Sequence, residues 1–215
     1  LSSWFIAVVL ALAGGWALWA RQSPPPTPAP VLAAGASHSV AVDATGQVWA
    51  WGANVGYQVG DGTTQTRVAP VPLTTLPGTF TTVAAGGSHS LARRADGAVF
   101  GWGLNANGEV GVGALTPRAT PVQIPALSNV VAVAAGASHS LALRANGTVA
   151  AFGANSEGQL GDNSTTRRTT PVTVHGLTNV VAIAAGGQHS LALNADGSVW
   201  AWGANGSSQL GDNTT

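Results

Sequence analysis

The chain has 215 residues, of which only 7% are charged, and its eight arginines balance eight acids at a formal net charge of zero, with no lysine. Neutrality without clustered cations excludes phosphate-backbone binding, because non-specific nucleic-acid affinity comes from Lys and Arg massed on one surface. Cysteine is absent, which removes disulfides, thiolate metal ligands and a Cys nucleophile from these residues. The sequence starts at Leu1 and stops at Thr215 inside a repeat, so a fragment truncated at both ends is expected. The Ala-rich, Lys-free composition suits a high-GC bacterial source.

Residues 1–21 contain Trp4–Ala20, seventeen residues without a charge. As a helix this run would be about 25 Å long, near the short limit for spanning a bilayer. Trp4, Trp16 and Trp19 lie near its ends, where amphipathic rings favour the headgroup zone. A signal anchor is expected. A cleaved signal peptide with Ala11-Leu12-Ala13 as processing site is one alternative, and a buried soluble helix another. Residues 22–30, Gln-Ser-Pro-Pro-Pro-Thr-Pro-Ala-Pro, cannot continue a helix and read as a polyproline II spacer. A membrane-anchored chain with extracytoplasmic repeats is therefore expected, or a secreted one after cleavage.

Residues 31–215 are repetitive. Ala33–Gly52, Ala84–Gly103, Ala134–Gly153 and Ala184–Gly203 share one pattern, and His38, His89, His139 and His189 mark steps of 51, 50 and 50 residues. A period near fifty suits one four-stranded propeller blade, which an open right-handed β-solenoid with its shorter coils does not match. The expected fold is all-β, a β-propeller with full repeats at about 31–79, 80–128 and 129–178 and a partial fourth at 179–215.

Within a repeat, Val130–Ala135 predicts a first strand and His139–Leu143 a second. An Asp-Gly or Asn-Gly hairpin turn follows, then a third strand such as Val48–Trp51. A long polar loop leads to a short fourth strand, Pro171–Val174, whose proline suits an outer edge. Alternation puts His139, Leu141 and Leu143 on one side of the second strand, and Trp200 and Trp202 on one side of the third. The expectation is one bulky face per blade, carrying Leu and Trp, stacked on a small face of Ala, Gly and Ser.

The pattern Gly-x-x-His-Ser-Leu-Ala-Leu, Asp-Gly, Val-Trp-Ala-Trp-Gly-x-Asn, Gly-Gln-Leu-Gly-Asp resembles the regulator of chromosome condensation repeat family across Val31–Thr215. The resemblance implies a seven-bladed propeller, so further blades are expected. It also implies an alternative function, guanine-nucleotide exchange on a small GTPase, as the founding member performs. That protein uses an inserted wedge, for which steps of 51, 50 and 50 leave no room. The pattern has departures. Tyr57 and Ser208 replace a loop glycine kept as Gly108 and Gly158, Val112 replaces the acid of Asp61, Asp162 and Asp212, and Ala150 replaces an aromatic.

Few residues suggest chemistry. The four repeated histidines could be imagined as a metal ring, but symmetry keeps them apart, and the expectation is that they tie down loop carbonyls. Asp61, Asp162 and Asp212 offer calcium one carboxylate each, too few for a hard cation, so they are expected to brace Asx turns. Ser37, Ser88 and Ser138 precede His along the chain, where alternation turns neighbouring side chains to opposite faces. No cofactor, metal or small-molecule substrate is expected. The tryptophans belong to blade packing. The expected function is a non-enzymatic protein-binding scaffold, with contacts in the variable loops at Tyr57, Gln65, Glu109, Leu115, Glu157 and Arg167. A targeting module of a larger enzyme is the remaining alternative.

Overall fold

A computed structural model describes residues 31–214, and the apolar run and Pro-rich stretch expected as anchor and spacer lie outside them. Among the described residues no helix is long and apolar enough to cross a membrane. The described chain is all-β. Strands β1 (Val31–Ala34), β2 (His38–Val42), β3 (Val48–Gly52) and β4 (Arg67–Pro72) form one antiparallel sheet in sequence order. β5 (Phe80–Ala85), β6 (His89–Arg94), β7 (Val99–Gly103) and β8 (Arg118–Gln123) form the second, and β9 (Val130–Ala135), β10 (His139–Arg144), β11 (Val149–Gly153) and β12 (Arg168–Thr173) the third. β13 (Val180–Ala185), β14 (His189–Asn194) and β15 (Val199–Gly203) make a three-stranded fourth.

Each sheet is a meander of antiparallel sequence neighbours, with short turns joining the first three strands and, in the first three sheets, a long loop leading to the fourth. The hairpin turns close on glycines at positive φ, such as Gly97 and Gly147 at 85° and 77°. The outer strand starts earlier than its proline-led pattern predicts. Arg168 already pairs with Gly153, after which the register shifts before Val172 meets Ala151. That irregularity hides the first half of the strand from any alternation rule, whereas Pro121 and Pro171 do lie on outer strands, where a missing N–H is tolerated.

The expected bulky face is corrected by the register. Leu91 stands opposite Gly101, Ser90 opposite Trp102 and Ala92 opposite Phe100, and residues directly opposite in a ladder share a face. The Leu or Val of the second strand and the Trp or Phe of the third therefore project from opposite sides of every blade, and each side mixes one bulky strand with one small one. The hairpin turn sets this register, and alternation along a single strand does not reveal it.

Blades stack through these mixed faces. Val40, Val48, Val59 and Leu73 of the first sheet enclose Phe80, Phe100 and Trp102 of the second. Leu91, Val99 and Ile124 of the second meet Phe152 of the third, and Leu141, Leu160 and Val174 of the third meet Ala192 and Trp202 of the fourth. Each fully buried Phe or Leu in these seams contributes about 1.5–3 kcal/mol.

The loops sort to two rims. Ala53, Leu104 and Ala154 donate their amides to Ser37, Ser88 and Ser138 carbonyls at 2.8 Å. These bonds join each β3–β4-type loop to its blade's first turn, forming the loop rim. On the opposite, hairpin rim, Phe80 N donates to Gly46 O at 2.9 Å and Val180 N to Gly147 O at 3.0 Å.

Candidate interaction rim

The three complete long loops are of equal length, running between Gly52 and Arg67, Gly103 and Arg118, and Gly153 and Arg168. A buried asparagine organises each. Asn54 Oδ1 accepts from Val59 N at 3.0 Å, and its Nδ2 donates to Thr63 O at 2.8 Å. Asn105 does the same with Val110 N and Ala114 O at 2.9 and 2.7 Å, and Asn155 with Leu160 N and Ser164 O, both at 2.9 Å. A loop pinned from inside presents its outer residues on a rigid frame.

An ion pair seals two of these loops. Asp61 Oδ1 accepts from Thr63 N and Thr63 Oγ1 at 3.0 and 2.9 Å, while Arg67 Nε donates to Asp61 Oδ2 at 2.5 Å. In the third blade Arg168 Nε donates to Asp162 Oδ2 at 2.6 Å. Burial opposes the charge on Asp61, but the Thr63, Arg67 and Asn54 donors outweigh it and hold its pKa below the ordinary carboxylate value. These oxygens already bond donors within the loop, which accords with the Asx-turn expectation.

All six predicted contact residues fall in these loops, but not all reach solvent. Gln65, Leu115, Glu157 and Arg167 are exposed, and Tyr57 is half-buried in a left-handed conformation at φ 63°. Glu109 is a correction, because it is only 1% exposed. Its carboxylate turns inward and accepts from Asn107 N and Nδ2 at 2.8 and 2.9 Å. Gln58 and Gln159 use Oε1 in the same way, on Gly56 N and Glu157 N, so alignment of Glu109 with those glutamines carried the signal. Charge alone pointed the other way. Missed by sequence reasoning were Val55, 86% exposed, and exposed Leu104, which stands where the other loops have Ala53, Ala154 and Ala204.

The repeated histidines are structural, though with a different partner from the expected carbonyls. His38, His89 and His139 Nε2 each lie 2.9 Å from the Oγ of Ser90, Ser140 and Ser190 in the next blade. Those hydroxyls donate to Gln58, Glu109 and Gln159 carbonyls at 2.8 Å. A hydroxyl has one proton to give, so the imidazole must donate through Nε2–H. The pair superficially resembles a nucleophile and its base, but a ring that already donates to the hydroxyl cannot take its proton. Burial pushes His38 down to about 4 and His89 to about 3, where charge on His139 and His38 adds to the effect. Burial likewise brings His139 to about 4, with His189 contributing. Among the described residues no three His, Asp or Glu side chains gather as a metal site.

One fifty-residue unit, repeated as stacked antiparallel sheets with aromatic seams and rim-forming loops, defines a β-propeller built from tandem blades. The RCC1-like domain profile matches residues 21–215, and the chain belongs to that family, the regulator of chromosome condensation repeat proteins its motifs resemble. The human WBSCR16 structure aligns with a TM-score of 0.76 and 27% identity over 86% of this chain and 50% of that one. Prp20p of Saccharomyces cerevisiae, whose structure was described with its binding to Gsp1p and histones, aligns with a TM-score of 0.72 and 28% identity over 81% and 44%. The mitochondrial RCC1 domain-containing protein RUG3 of Arabidopsis thaliana is 32% identical over 54% of this chain and 26% of its own length. The ultraviolet-B receptor UVR8 of the same plant is 36% identical over 43% and 21%. The chain thus spans about a quarter of these two curated relatives and half or less of these structures.

Proposed function

We propose that this chain is a non-enzymatic, protein-binding propeller scaffold whose partner docks on the loop rim. The observation that carries the reading is the contrast between frame and surface. Asn54, Asn105 and Asn155 hold three loops of equal length in one conformation, while the residues they display differ. Val55 corresponds to Ala106 and Ser156, Tyr57 to Gly108 and Gly158, and Leu115 to Thr64 and Thr165. A rigid scaffold with variable loops is how propellers present contacts.

The test is capture of the partner by cross-linking to the full chain, followed by comparison of two variants. Tyr57→Gly with Leu115→Thr on the loop rim is expected to weaken recovery at least about tenfold, the loss of one or two anchoring side chains. Thr178→Ala with Ala126→Ser, exposed on the hairpin rim, is expected to leave recovery unchanged. The reverse pattern would overturn the reading.

The exchange-factor alternative draws on the likeness to Prp20p, and its partner would be a small GTPase. Nucleotide release measured with the purified chain decides it. A targeting role within a larger enzyme is kept as a third reading. A membrane tether or export is part of the proposal through the uncharged run Trp4–Ala20 alone, and a reporter fused after Pro30 that stays in the cytoplasm would remove it.

A further inference from the structure

The second blade breaks the ion-pair pattern at both of its acceptors. Arg118 stands opposite Gly103 as Arg67 stands opposite Gly52 and Arg168 opposite Gly153. In the sister blades the guanidinium meets the Asp61 or Asp162 carboxylate through Nε, and Thr63 Oγ1 or Ser164 Oγ through Nη2, at 3.2 and 3.3 Å. In the second blade Val112 and Ala114 occupy those positions, and the buried Arg118 Nε has no hydrogen-bond partner. Val112 instead packs onto the seam between the second and third blades. The one acid in this loop, Glu109, is engaged by Asn107, and Asp61 of the preceding loop is engaged by Arg67.

The surroundings change in the same direction. Leu104 replaces alanine, Leu115 replaces Thr64 and Thr165, and Pro117 replaces Thr66 and Arg167, and all three are exposed. A guanidinium stays charged at any physiological pH, and leaving its buried N–H without an acceptor costs stability that the two sister blades do not lose. Lost acceptors and gained apolar surface coincide in one loop.

We propose that the loop from Leu104 to Pro117 docks an acidic peptide segment of the protein partner. Its Asp or Glu carboxylate pairs from outside with the terminal nitrogens of the half-buried Arg118 guanidinium, which no carboxylate of the loop neutralises, and its flanking apolar side chains lie on Leu104 and Leu115. The proposal rests on reading the loop rim as the contact surface, and it names the blade and the chemistry of the ligand.

The probes are two synthetic peptides, acetyl-Ser-Leu-Glu-Leu-Ser-amide and its Gln counterpart, titrated into the isotope-labelled full chain and followed by NMR. The Glu peptide is expected to shift the Arg118 Nε–H resonance together with the Gly113 and Leu115 amides. The Gln peptide is expected to bind at least about tenfold more weakly, the factor for losing a hydrogen bond between charged groups. Val112→Asp supplies the carboxylate from within, as Asp61 and Asp162 do, and is expected to abolish binding while the chain stays folded. Equal binding of the two peptides, undiminished binding to Val112→Asp, or no shift at Arg118 would each overturn the proposal. Shifts confined to the first or third loop would sink this site and spare the rim reading. A cross-linked partner indifferent to every loop-rim substitution would sink the rim reading itself.

Discussion

A buried imidazole that donates one hydrogen bond and is kept neutral is a pH-dependent brace. His38, His89 and His139 join consecutive blades in this way, with pKa values of about 4, 3 and 4 against 6.5 for a free ring. Above pH 6.5 the rings are neutral in both folded and unfolded chains and add no pH dependence. Between pH 6.5 and 4 the unfolded chain takes up protons that the folded one refuses. Stability is therefore expected to fall in that window, by about 1.4 kcal/mol per pH unit for each titrating ring. Asp43 and Asp96, held at about 2 by donors that include Thr45 and Arg94, continue the loss below pH 3.8. Urea midpoints measured from pH 8 to 4 should be level down to about 6.5 and then decline steeply. A level profile across pH 6.5 to 4.5 would contradict the neutral, buried rings.

At the scale of the element, the turn between the first two strands of each inner blade is packed without space for a side chain. A Cβ on Gly86 would lie 2.3 Å from His89 Cε1 and 2.5 Å from Gly136 O, so both the brace and the next blade's backbone block it. Gly86→Ala is expected to cost about 3 kcal/mol, the upper range for overpacking a close contact. Alanine already stands at the place of Gly187 in the first and third repeats, as Ala36 and Ala137, and Gly187→Ala is expected to fall within about 0.5 kcal/mol of the parent. Thermal unfolding of the two variants checks the contrast, and equal losses would count against it. Element order and turn positions were legible because glycine and the β-branched runs punctuate them at a fixed period. Face assignment was not, since the Leu191↔Ala201 and Ser190↔Trp202 register depends on the hairpin turn. The site was legible only in part. Loop variability located the rim, whereas the burial of Glu109 and the orphaned Arg118 arise from hydrogen bonds that no single loop's sequence displays.

At the largest scale, the four described sheets leave two complementary faces uncovered by one another. The first sheet turns Trp49 and Trp51 outward beside Ser39 and Ala41, with Leu32 75% exposed. The last turns Leu191, Leu193 and Val199 outward, Val199 being 68% exposed. Inside the stack these same two kinds of face meet, as Val40 and Val48 do with Phe100 and Trp102. The polar stitch repeats as well, because His189 holds the place of His139, and Ser39 that of Ser190. A following blade built on the same pattern would cover the last sheet with aromatic rings and a hydroxyl, and the first sheet of a second copy offers the same groups. Such a contact is head-to-tail, and nothing in its symmetry limits it to two copies unless the arc closes. Residues 31–215 on their own, with that face left open, are accordingly expected to self-associate at micromolar concentration, seen as a sedimentation coefficient that rises with concentration. Val199→Arg places an uncompensated charge in that seam and should return the chain toward monomer while leaving the inner seams folded. A parent chain that sediments as a monomer at every concentration, or a Val199→Arg variant that associates equally well, would show that these faces are tolerated in water rather than complementary.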